Sequence, residues 1–184
     1  QYDPQNKEGK LFIPEETVVP NWYSSMNSNS ANGTDLLEGV NPASGMVLYY
    51  NLPDKIESKE VNLTISDLNG KIINSFSSIS DSTYINYEGG PPKNKILSSN
   101  KGINRFVWDL TEDPPIKLDE GLKTRKYEPF AKSEGGPAGA KVQPGNYLVV
   151  LTANGESQEA KFSVVKDPRV NTSQEDFEVQ NSLY

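Results

Sequence analysis

The sequence contains neither cysteine nor histidine. Without cysteine there is no disulfide, no thiolate nucleophile and no thiolate metal ligand. Without histidine there is no imidazole base or ligand, and no Ser-His-Asp or Cys-His apparatus. Long apolar runs are missing too. Nothing approaches the ~18 apolar residues of a membrane-spanning helix, so no membrane insertion is expected. Hydrophobic residues make up only 34% of the chain, which leaves material for one modest core amid much irregular chain. Positive charge is the minority sign: 25 acidic against 18 basic side chains leave a net −7 on 184 residues. Such a surface repels phosphate backbones and anionic lipid, and no nucleic-acid partner is expected. Carboxylates, lysines, tyrosines and hydroxyls remain for chemistry.

The length suits one domain with appendages. The chain opens on Gln1 rather than Met, and the expectation is a processed or excised piece of a longer protein. Residues 1–40 read as an extended N-terminal segment and polar linker. Within them Leu11-Phe12-Ile13 and Val18-Val19 are short apolar pieces interrupted by Pro14 and Pro20, the pattern of an edge strand. Residues 24–35 are small and polar.

Residues 41–167 carry the folded signal. Met46 to Leu52 reads as a strand. Val61, Leu63 and Ile65 alternate with Asn62, Thr64 and Ser66, a period of two with one face buried. Asn69-Gly70 then leads into Lys71 to Phe76, which predicts a hairpin closed by a two-residue type I′ turn. Ile103 to Leu110 is the next strand, and Asn154-Gly155 joins Tyr147–Thr152 to Ala160–Val165 in a second hairpin. Long Gly/Pro-bearing loops span 78–101 and 111–141. In the tail, 168–184, Thr172 and Glu175 have capping-box spacing, and Phe177, Gln180, Leu183 and Tyr184 follow at helical intervals. The sum is an all-β, antiparallel β-sandwich of about seven strands with long loops and a short C-terminal helix. Its predicted core is Val61, Leu63, Ile65, Phe106, Trp108, Tyr147, Val149, Leu151, Phe162 and Val164.

The order of several segments carries a family resemblance. Asn41-Pro42 precedes Leu48-Tyr49-Tyr50, and Val61-x-Leu-x-Ile-x-Asp67-x-x-Gly70-Lys71 follows. Next come Gly102 to Leu110, Pro144-Gly145-x-Tyr147 and Lys166-Asp167-Pro168-Arg169-Val170. Over residues 41–184 this is similar to the C-terminal module of bacterial sortilin-like proteins built on BNR-repeat β-propellers, often labelled putative glycosyl hydrolases. It also resembles the immunoglobulin-like module of flagellar hook-capping proteins. The resemblance implies an immunoglobulin-like accessory sandwich of an exported protein, in the periplasm, on the cell surface or secreted. Its partner would be a propeller-like domain of the same polypeptide, to which any glycosidase activity would belong.

Candidate functional residues each have a plainer structural reading. Trp108 is either a core tryptophan or a sugar-stacking platform, and the strand alternation favours the core. Arg105 and Asp109 fall on the opposite face as a possible pair. Trp22, Tyr23, Tyr84, Tyr87, Tyr127 and Phe130 gather in irregular chain, where aromatics mark a ligand or docking surface. Asp109, Thr111, Glu112 and Asp113, and separately Asp119-Glu120, form oxygen-rich clusters but lack a calcium-loop motif, so a solvated acidic loop is expected. No catalytic residue, metal or cofactor is assigned. The expected function is a non-catalytic accessory module with a structural or domain-docking role. The alternatives are a carbohydrate-binding module using the loop aromatics and, third, a carboxylate-based glycoside hydrolase.

Overall fold

The computed structural model describes residues 9–19, 43, 45–53, 60–82, 94–113 and 139–182. Among these, eight strands and one helix follow one another: β1 (Lys10–Leu11), β2 (Thr17–Val19), β3 (Met46–Leu52), β4 (Val61–Asp67), β5 (Ile72–Ser77), β6 (Gly102–Trp108), β7 (Gly145–Ala153), β8 (Glu156–Lys166) and α1 (Gln174–Ser182). They build an all-β sandwich of two sheets, ordered β1-β3-β6 and β2-β8-β7-β4-β5. The two short N-terminal apolar pieces supply β1 and β2, each at the edge of a different sheet.

Every pair is antiparallel except β2 with β8, which is parallel over Thr17↔Val164 to Val19↔Lys166. The physical reason is the route. The chain leaves β1 and crosses to the other sheet without a hairpin reversal, so it meets β8 running the same way.

All ten predicted core residues are buried, drawn from the inner faces of both sheets. Trp108 is 1% exposed and sits between the sheets. Its ring meets Tyr147 and Phe162 edge-on, with centroids 6.3 and 6.1 Å away. Its Nε1 donates to Asn74 Oδ1 at 2.8 Å, and the Asn74 amide donates in turn to Asp113 at 2.8 Å. The indole is therefore core, with its one polar atom satisfied, as burial requires.

The two Asn-Gly pairs part company. Asn154 (φ 54°) and Gly155 (φ 79°) both adopt positive φ between Ala153 and Glu156, the two-residue turn that the sequence predicts. At the first hairpin only Gly70 does so, at φ 89°. Gly70 N donates to Asp67 O, and the Asp67 carboxylate accepts from Asn69 N and Lys71 N. The Asp67 side chain thus caps a wider turn, with glycine in its left-handed position and a register shift between Ile65 and Ser66. The helix cap also differs from expectation by one residue. Ser173 Oγ accepts from Asp176 N while Asp176 Oδ2 accepts from Ser173 N, so Ser173 and Asp176 make the box rather than Thr172 and Glu175. Hydrogen bonds from Ser173 hold the Asp176 carboxyl below its ordinary value.

Two buried phenols tie loops to the sandwich. Tyr50 donates to Ser98 O at 2.6 Å, and Tyr147, at the start of β7, donates back to Gln143 O at 2.7 Å. Desolvation pushes both up to about 12 from 10.0, and the charges of Glu112 and Asp67 add to the rise at Tyr147. A raised phenol pKa leaves this stability intact below pH 10 and removes it as pH climbs from 10 to about 12. Tyrosinate absorbance followed with circular dichroism is expected to show these two phenols ionising only as the sheet signal is lost. Titration of every tyrosine ahead of unfolding would contradict it.

Candidate functional site

Among the described residues, an open groove lies where the N-terminal chain passes from one sheet to the other. β1 pairs with β3 as Lys10↔Asn51 and Leu11↔Tyr50. Phe12 N then donates to Tyr49 O at 3.1 Å, and there the pairing ends. Pro14, which has no N–H to offer a ladder, is buried, and the chain crosses through Glu15 and Glu16 to β2. The crossing is clasped by one side chain. Gln158 of β8 accepts from Leu11 N at 2.8 Å and donates to Gly9 O at 2.6 Å, so its amide acts as a strand neighbour for β1.

Because this strap leaves β3 early, an open groove of about 900 Å³ remains between residues 12–18 and the outer side of β3. Asp167 to Arg169, just beyond β8, line it as well. Sheet register sets the sheet wall: Tyr49 lies directly opposite Arg105, and Val47 opposite Val107. Ile13 (77% exposed) and Tyr49 (45%) are exposed apolar members of its lining.

Charge is divided across the groove. On the sheet wall, among the described residues, no carboxylate lies within ion-pair distance of Arg105. Arg169 differs: its Nε donates to both oxygens of the buried Asp167 carboxylate, at 2.9 and 3.1 Å. That partner raises the guanidinium's pKa further. On the strap wall Glu15 and Glu16 are exposed. The backbone is open too. Tyr49 O faces the strap, and in an antiparallel ladder the same side recurs two residues on, so the N–H and C=O of Val47 face the groove. No described residue bonds to them on that side.

The acidic cluster is a brace. Asp109 pairs with Lys95 at 3.2 Å, Glu112 with Lys71 at 3.2 Å, and Asp113 takes the Asn74 amide. Lys141 Nζ donates to Asp109 O and Thr111 Oγ1. Desolvation lowers its pKa, against the opposing pull of Asp109. These contacts fix the segment after β6 against the chain entering β7. Among the described residues no group of three acids is placed to hold a metal ion. Asp109 thus goes to Lys95, and not to Arg105 as the sequence had suggested.

Of the surface proposed from sequence, Trp22, Tyr23, Tyr84, Tyr87, Tyr127 and Phe130 lie outside the described residues, as do Asp119 and Glu120. The groove residues Val47, Tyr49 and Arg105 were not singled out as a surface. Alternation within Met46–Tyr50 carried the signal, since Val47 and Tyr49 there are the less buried positions. A run of apolar side chains hid it.

A scan against protein-family models finds no match, and neither does a search of curated proteins or of solved structures.

Proposed function

We propose that the chain is a non-catalytic accessory module of an exported multidomain bacterial protein, and that it docks a neighbouring domain of the same polypeptide through the groove face. The observation that carries this is the exposed Tyr49 beside Arg105 in a groove along a strand edge that no described residue covers. Isolated exposed apolar residues are ordinary, but an exposed aromatic beside an arginine matches the composition in which interfaces are enriched. The immunoglobulin-like assignment is supported by strand order, with the first strand divided between the sheets. It is also supported by the Tyr147 hydroxyl bonding to Gln143 O at the start of β7, a corner typical of such sandwiches. The resemblance to sortilin-like, BNR-repeat proteins supplies the propeller-like partner and the export.

Carbohydrate binding is the second reading, and one observation favours it: Tyr49 offers an exposed ring in an open groove. A photo-crosslinking residue at position 49 of the full-length polypeptide separates the two. Docking predicts a crosslink within the same polypeptide, lost when Arg105 and Val47 are both changed to Asp. Saturable oligosaccharide binding that disappears in Tyr49→Ala, with no crosslink, would replace docking by the second reading. Glycoside turnover abolished by Glu15→Gln or Glu16→Gln would overturn the non-catalytic reading.

A further inference from the structure

The groove exposes main chain as well as side chains, and this limits what fits it. Among the described residues, pairing on the strap side of β3 runs from Tyr49 onward. Before it, from Gly45 to Leu48, lie three residue steps, about 10 Å at strand spacing, in which Val47 is the β3 residue whose N–H and C=O face that side. An uncovered edge presents unpaired N–H and C=O groups and is a template for another strand. The strap cannot fill this place itself, since it is committed to β8 by Thr17–Val19. Resting on the docking reading above, we propose that the groove takes an extended peptide segment as an added strand on β3, with an acidic side chain of that segment against Arg105.

Charge chooses the occupant. The chain is net −7, so most of its surface repels an acidic segment, and Arg105 is a cation with no described ion partner. Glu15 and Glu16 on the facing wall reject acid there, which gives the segment one acceptable orientation. Strand alternation sets the rest of the pattern. On the outer face the added strand's side chains lie beside Val47, where an apolar residue covers surface, and an acid at the end nearest Tyr49 is directed at Arg105, which stands opposite Tyr49 and lines the groove.

The test uses labelled eight-residue peptides of alternating Val and Thr with one central Glu, titrated against the chain and read by fluorescence anisotropy. Saturable binding is expected, weakened about tenfold or more when the Glu is replaced by Lys, the scale of a charge-assisted hydrogen bond. Arg105→Gln is expected to weaken the Glu peptide and leave its Gln counterpart unchanged. N-methylation of the alternate peptide amides that face β3 is expected to abolish binding, while methylation of the intervening amides leaves it intact. That comparison needs no change to the protein, so no variant's failure to fold can obscure it. Equal binding of the two methylated sets, or no saturable binding by any peptide, overturns strand addition. If the crosslink at position 49 forms in either case, docking survives without added-strand pairing; if the crosslink is also absent, both readings fall.

Discussion

Trp108→Ala is expected to destabilise the domain by about 3–5 kcal/mol, the usual range for truncating a buried aromatic. The indole is 1% exposed and fills the space between the sheets against Tyr147 and Phe162. Its removal opens a cavity that two paired sheets cannot collapse to fill. It also strips Asn74 Oδ1 of its buried donor, and Asn74 holds Asp113 through its amide. The loss therefore reaches the segment after β6 as well as the core. Urea unfolding is the measurement. A fall in midpoint with an unchanged slope fits this account, whereas a loss under about 1 kcal/mol would place the indole's contacts outside the stabilising core.

Gly45→Ala is expected to cost more than about 3 kcal/mol, although it adds one methyl group. Gly45 stands at φ 132°, immediately before Met46 pairs with Trp108. A Cβ there would lie 2.0 Å from Trp108 O and 2.9 Å from its carbonyl carbon. The obstacle is backbone, so no side-chain rotation relieves it, and β3 or β6 must shift at the position that holds the indole. Gly155→Ala is the control. It also has positive φ, at 79°, but a Cβ there meets nothing within 4 Å. It is expected to cost only the strain of a left-handed alanine, about 1–2 kcal/mol. Equal losses in the two variants would show that φ alone, and not close approach, makes Gly45 necessary.

Much of the sandwich was legible because its signals are local. Alternation marked the inner face of β4, and Asn154-Gly155 formed the turn that two positive-φ residues allow. Where a side chain intervened, the local rule was overridden. Asp67 capped the first turn and widened it, and Ser173 rather than Thr172 caps the helix, exchanging hydrogen bonds with Asp176. The groove was not legible for a different reason. It depends on where β1 stops pairing with β3 and where β2 starts pairing with β8, and on Tyr49 meeting Arg105 across a register between strands more than fifty residues apart in sequence. No window of sequence contains such a pairing. Trp108 was placed correctly because its neighbours Phe106 and Leu110 share its side of the strand pattern. The loop aromatics had no comparable pattern to place them.

The central claim is that the strap-side edge of β3 is a surface that another segment covers. Amide hydrogen exchange at residues 45–49, compared between the chain alone and the chain saturated with the Glu-bearing peptide, tests it most directly. The Val47 amide is expected to exchange readily in the chain alone and to be strongly protected with the peptide, while Leu151 and Val149 in β7 are unchanged. Identical exchange at Val47 in the two forms would contradict it.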